Sequence, residues 1–539
     1  MPCGPIANAR GEGRVTSAMA IKDDILRPYF KRKICMEQTT KTFRFIQRLA
    51  LGPSPDGSLP DNPLIWAKSQ LDQVPPMDIL DEFGQVRKDL PPEFKLIRTM
   101  TELMTAYRGS WNAVDKMFRL DPNMPQAERK ATVRRLLFYP YREREHWKEL
   151  QARVSTALQS QQPLFERFWH FWSNHFMVAP NTDNNDVLVG PYQRALREHL
   201  TGSFRDLLWN AVTHPGMLVY LDNHRNVGPN SAARKQGRTT DSINENLGRE
   251  LLELFTITPQ SGYTQADVEQ STLILTGWTF VMPNSFDAKP LFFPNMNAPA
   301  SMNGTFFDYA RHETRDQKVM GKVYSSSVFR QKAKLEDFIT DLANHPATAH
   351  HIARKLCVYF IDDEPPSDAV TLVEKAFIDS KGHLPTVHKA LVDATWQSIE
   401  STKKFQNPEA WLVQTLRLLD IGLPQNPPQL EPAAEWNIST LMQDMGQPLP
   451  FSPQPNGWPI RSEDWISKEM LDRRLRLAQM LVQRAPPLNP EKLARLEKLI
   501  NSSLLPQSKS LKAVNQAFAQ NKPTQALLMW LASPDLLWS

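Results

Sequence analysis

Apolar positions recur at helical spacing along most of the chain, and only short runs alternate with the period of two expected of a half-buried strand. The densest patterning lies at 243–278, INENLGRELLELFTITPQSGYTQADVEQSTLILTGW. Leu247, Leu251 and Leu254, with Phe255, mark one helical face, and Glu245, Arg249 and Glu253 stack opposite charges four residues apart on another. Gly262-Tyr263 breaks the chain. Thr264 with Asp267 then predicts a capping box for a second helix that carries Val268, Leu273 and Leu275 and stops at Gly277. Further helices are predicted at 39–50, 94–118 with an interruption near Gly109, 126–138, 147–179, 192–198, 204–212, 335–343, 346–360, 369–380, 384–394, 410–419, 468–483, 490–500, 511–519 and 523–532. Residues 304–325 alternate on either side of a polar turn and predict a small β-hairpin. The predicted fold is all-α, a multi-helical array around one extended core with that hairpin. One large helical domain is expected over 39–539, with sub-regions 39–160, 161–400 and 401–539, behind a basic, poorly ordered arm at 1–38.

The helix predicted at 147–179 is unusually aromatic. In FERFWHFWSNHF, Phe165, Phe168, Trp169, Phe171, Trp172 and Phe176 fall within a few turns. Such a stripe reads as core rather than as a cofactor box. Two polar loops, 223–242 and 281–303, and a Pro-rich link at 422–459 are long enough to suggest functional or mobile segments.

Composition narrows the class. Of 539 residues, 41% are hydrophobic and 22% charged, as in globular chains. The net charge of +5 is local: residues 1–50 hold ten Lys or Arg against four Asp or Glu, and the remainder holds 53 against 54. With no basic field over the body, nucleic acid is not the expected partner. Three cysteines, Cys3, Cys35 and Cys357, form neither a disulfide framework nor a zinc pattern. No run of about 18 apolar residues predicts a transmembrane segment. The first fifty residues lack the apolar stretch of a secretory signal, so the chain as it reads is expected in the cytoplasm.

The candidate chemistry gathers on the central segments. His170 and His175 are the first metal candidates, but five residues of helix turn one about 140° from the other. His175 sits nearer the helix end, and with His312 it forms the candidate metal pair. Glu245 and Glu250 are the candidate catalytic carboxylates, one acting as general base beside a divalent metal. Asn244, Asn246, Arg249 and Glu253 from the charged ladder, Asp222 and Asn223 at a helix end, and Trp278 and Lys318 are candidate ligand contacts. Each has a plainer alternative: a network that fixes the helix, a solvated face, an Asn clamp on the backbone, or a helix cap. His345, before Pro346, reads as a structural residue at a helix start. No phosphate loop, nucleophile elbow or Cys–His pattern stands out. Two functions follow: a binding or scaffolding protein with a polar pocket on its central helices, or a metal-assisted hydrolase using His175, Glu245, Glu250 and His312.

Nine segments in order, FWSNHF (171–176), HPGMLVYLDN (214–223), NENLGRELLEL (244–254), YTQADV (263–268), TGW (276–278), HETRDQKVMG (312–321), HPAT (345–348), KLCVYF (355–360) and ASPDLL (532–537), together resemble the bacterial family catalogued as domain of unknown function 1800. The resemblance runs from about residue 39 to the C-terminal end. It implies no established activity. It does imply a periplasmic or exported setting as the alternative to the cytoplasm, and a protein partner from a neighbouring, alkaline-phosphatase-like family. It also marks departures: Phe255 stands where the family usually has His and Thr258 near its usual Gly, Glu313 follows His312 where the family usually has Asp, and the family's export signal is not seen.

Overall fold

Six of the 44 prolines start helices directly after a side-chain cap. Asn62, His214, His345, Asn407, Asn489 and Ser533 each cap a helix through the side chain, and each is followed at once by proline. Proline at that first position loses no hydrogen bond, because its missing N–H would have had no partner inside the helix. The imidazoles of His214 and His345 accept from the backbone N–H two residues on, at 3.0 and 3.1 Å. The HP motifs are therefore helix starts.

The computed structural model describes residues 38–53, 57–77, 98–180, 186–237, 239, 242–280, 305–327, 330–423 and 437–539. The basic arm, but for its last residue, and the loop expected at 281–303 lie outside the described residues. The rest is mostly helical, with two small antiparallel two-stranded sheets. Among the described residues no helix is long and apolar enough to cross a membrane.

Four elements differ from expectation for identifiable reasons. The helix expected at 147–179 is two, Glu145–Gln159 and Pro163–His175, because Pro163 can open a helix but not continue one. The helix Met100–Leu120 runs unbroken through Gly109. The link at 422–459 contains a helix, Ile438–Asp444, capped by Asn437. The hairpin of 304–325 is confined to Gln317–Val319 and Lys322–Tyr324, turning at Met320-Gly321, where both φ angles are positive. Thr305–Phe307 pairs instead with Trp278–Phe280, which packs the Phe307 ring on Trp278 at 5.4 Å.

Two large apolar clusters dominate the interior. The first contains the aromatic face of Pro163–His175, where Phe165, Phe168, Trp169, Phe171, Trp172 and Phe176 are all 2% exposed or less. The second contains Leu150 and Val154 of Glu145–Gln159, most of Pro408–Leu419, and the C-terminal helices around Trp530. The polar face of the aromatic helix lies toward this second cluster. The resulting seam positions the site.

Candidate functional site

The residues that separate the aromatics of Pro163–His175 recur at helical spacing too. Arg167, His170, Ser173 and Asn174 form a polar stripe, because three or four residues return a helix to the same face. A stripe on a surface helix would meet water, but this helix is enclosed, with Arg167 5%, His170 1% and Ser173 3% exposed. Facing it, Arg153 of Glu145–Gln159 makes a two-point ion pair with Glu409 of Pro408–Leu419, at 2.6 and 3.2 Å. His170 Nδ1 lies 3.5 Å from the same Glu409 oxygen.

Between these groups lies a pocket of ≈ 610 Å³ including its mouth. Glu149, Arg153, His170, Ser173, Asn174, Tyr359, Asn407 and Glu409 contribute to its wall, and 449–459 closes one side. Asn174 holds that closing segment by two hydrogen bonds, donating to the Trp458 carbonyl at 2.9 Å and accepting from its N–H at 2.7 Å. Gly457 permits this approach, since its φ of +79° is strained for other residues and a Cβ there would overlap Asn174. At Gly190 a Cβ would overlap the Glu149 side chain, which pairs with Arg194.

Burial governs the electrostatics. It drives the His170 imidazole well below its ordinary pKa, helped by the Arg153 charge, so the ring is neutral. Burial also works to raise the Glu409 carboxyl, but Arg153, by its charge and its hydrogen bonds, with the Arg167 charge behind it, outweighs burial and holds that group down to about 2. The pocket therefore joins a closed ion pair to a neutral imidazole. Both His170 ring nitrogens and the Ser173 hydroxyl are buried without a hydrogen-bond partner. Buried polar groups usually find one, so three unpartnered atoms around one space are a departure that calls for a ligand or ordered water.

The central helices show a different pattern. Glu245 accepts from Arg249 at 3.0 Å and from Gln265 at 2.8 Å, with 39% of the Arg249 and 33% of the Glu245 side chain exposed. No hydrogen bond or ion pair joins Glu253 to Arg249 among these contacts. The half-buried Glu250 carboxyl is pushed up by burial and by Glu253 against the pull of Arg249, and burial, with the Glu250 charge adding to it, raises Tyr220 to about 12. The asparagines clamp backbone. Asn223 donates to the carbonyls of Leu275 and Trp278 at 3.2 and 3.3 Å, and Asn226 exchanges two hydrogen bonds with the Asn244 backbone. Asn244 in turn accepts from the exposed Asn246 N–H at 3.0 Å. Asp222 takes a left-handed turn, φ 59°, ahead of Asn223.

His175 and His312 go to different surroundings. The Lys355 ammonium donates to His175 Nδ1 at 2.9 Å, and His175 Nε2 faces the Phe255 carbonyl at 3.4 Å. His351 Nε2 donates to the Leu254 carbonyl at 3.1 Å. Both imidazoles thus serve carbonyls just beyond the end of Asn246–Glu253, which a helix leaves without internal partners. Burial, then Lys355 and His351, pushes His175 well below its ordinary pKa, and burial takes Lys355 itself down to about 8. Lys355 lies in one of the motif segments but was no candidate, because nothing local marks a lysine that will meet an imidazole 180 positions away.

His312 is wholly buried and donates from Nδ1 to the Thr276 carbonyl at 2.7 Å. Glu313 accepts from the Asn230 and Arg315 N–H groups, both at 2.9 Å, and ties the 226–231 loop to the segment before the hairpin. Trp278 is buried against Trp209 and Phe307, whereas Lys318 is exposed in mid-strand opposite Val323. Among the described residues no three His, Cys, Asp or Glu side chains gather as a metal site.

The family model for protein of unknown function (DUF1800) matches residues 44–538, nearly the whole chain, and the chain belongs to that family. No curated protein and no solved structure matches it.

Proposed function

We propose that the protein is a binding protein whose ligand occupies the pocket at the seam between the two apolar clusters. The carrying observation is that both His170 ring nitrogens and the Ser173 hydroxyl border this space without a partner. A side chain kept polar for the fold alone would be expected to have its hydrogen bonds closed, as the asparagine clamps around Asn223 and Asn226 do. In the metal-assisted hydrolase reading, His175 meets Lys355 and the Phe255 carbonyl, His312 the Thr276 carbonyl, and Glu245 both Arg249 and Gln265.

The test is thermal unfolding of the wild type and of Ser173→Leu, which fills the pocket, against a panel of small polar compounds. The reading expects some compounds to raise the wild-type midpoint and leave that of Ser173→Leu unchanged. Equal responses from both proteins across the panel would overturn it.

A further inference from the structure

The charges around the seam pocket are closed among themselves. In its wall Arg153 is paired with Glu409, and Glu149 with Arg194, which reaches it from the helix Val189–Glu198. Arg167, one turn before His170, is not part of the wall, and its guanidinium carbon lies 4.8 and 6.0 Å from the ring centres of Tyr359 and Phe360. His170 is neutral. An ion entering this space would meet no unpaired counter-charge and would lose its water, which costs far more than burying a neutral polar group. The enclosure therefore selects a neutral ligand.

The unmatched hydrogen bonds run in both directions. The Trp458 indole N–H can only donate, and it is buried without an acceptor. His170 Nδ1 stands 3.5 Å from the Glu409 carboxylate, whose charge draws the single proton of the neutral ring to that side. Nε2 is then left as a bare acceptor, buried and without a donor. The Ser173 hydroxyl, also unpartnered, can do either. The amides of the wall are engaged: Asn174 on the Trp458 backbone, Asn407 on the Tyr359 hydroxyl and the Ala410 N–H, and Gln447 on the Glu409 N–H. A molecule that completes this set donates to His170 and accepts from Trp458. A ketone or an ether, which only accepts, completes half of it.

We propose that the seam pocket binds an uncharged ligand through a carboxamide or hydroxyl group, which donates to His170 Nε2 and accepts from the Trp458 indole, with Ser173 completing the set. The proposal rests on the reading of the pocket as a ligand site and adds the chemical class of the group it takes. The Arg153–Glu409 and Arg194–Glu149 pairs stay closed beside the ligand.

The experiment measures binding by magnetisation transfer from the protein to the methyl protons of five probes of similar size, at pH 7 and fixed ionic strength. Acetamide and 2-propanol are neutral and both donate and accept; acetone only accepts; acetate and acetamidinium carry the two signs of charge. The expected result is a saturable signal from acetamide, 2-propanol or both that Ser173→Leu abolishes, with the other three binding about tenfold more weakly or not at all. A response to acetamide alone identifies a carboxamide site, and one to 2-propanol alone a hydroxyl site. Acetate or acetamidinium binding as tightly as the neutral probes, and lost in Ser173→Leu, would overturn the assignment while the pocket reading stands. Acetone matching acetamide and 2-propanol would overturn it too, since donation to His170 would then count for nothing. If no probe gives a signal that depends on Ser173, the assignment falls, and the wider panel of polar compounds decides the pocket reading by itself. The comparison among probes needs only the wild-type chain. Should Ser173→Leu fail to fold, Ser173→Ala, which removes the hydroxyl alone, takes its place, and unchanged acetamide and 2-propanol binding in it would overturn the proposal.

Discussion

The stripe on Pro163–His175 and the ladder on Asn246–Glu253 are both rows of polar side chains on helices whose other faces are buried, yet they ended differently. In the ladder, Glu245, Arg249 and Gln265 close on one another at a surface where about a third of each ion-pair side chain meets solvent. In the stripe, Arg167, His170 and Ser173 are sealed inside with atoms left open. Charge density alone does not mark a site. A ladder that satisfies itself in water can be plain structure, whereas polar atoms that are both enclosed and unsatisfied signal a missing partner.

The largest expected effect lies on the stripe's side. Glu409→Gln removes the carboxylate that Arg153 faces while both are nearly dry, and should destabilise the fold by about 3–5 kcal/mol in denaturant unfolding. A change near zero would mean that water reaches this pair and that the pocket is not enclosed. Acid gives the next effect. Burial holds His214 and His388 at about 3, against an ordinary value of 6.5, so the unfolded chain binds protons that the folded chain refuses. Their stabilisation is complete above about pH 6.5 and is lost as pH falls toward 3. At pH 5 each should contribute a loss of about 2 kcal/mol. An unfolding midpoint that stays flat from pH 7 to 5 would break this description of the interior. The smallest effect belongs to the ladder. Arg249→Ala should cost about 0.5 kcal/mol, less in high salt, as exposed helical ion pairs do. A loss of several kcal/mol would place the ladder with the interior and erase the contrast.

The chain's local order was legible because it depends on near neighbours. The capping box of Thr264 and Asp267, the Glu245–Arg249 pair four residues apart, the aromatic stripe of 165–176 and the helix-starting His345 all follow from spacing. How far the ladder is exposed does not follow from spacing. It depends on what packs alongside, and here Gly248 lets Gln265–Leu275 approach so closely that a Cβ would overlap Thr272. The pocket was hidden for a related reason. Its ion pair joins residues 256 positions apart, and its polar stripe lies on a helix whose aromatics dominate any hydropathy reading. One signal was present: polar residues at 167, 170, 173 and 174 recur with helical period in a segment too aromatic to offer a solvent face. Read together, those two facts place a polar row inside the core.

The claim that this row is kept polar for a ligand, rather than for the fold, is tested most directly by His170→Leu. Leucine is close to histidine in volume and leaves no polar atom unsatisfied. Replacing a buried group that lacks its hydrogen bonds by an apolar one of similar shape is neutral or stabilising. Denaturant unfolding of the ligand-free protein should therefore find the variant as stable as the wild type, or more stable by about 1–2 kcal/mol. A loss of about 2 kcal/mol or more would show that His170 holds the fold together, and would contradict the account.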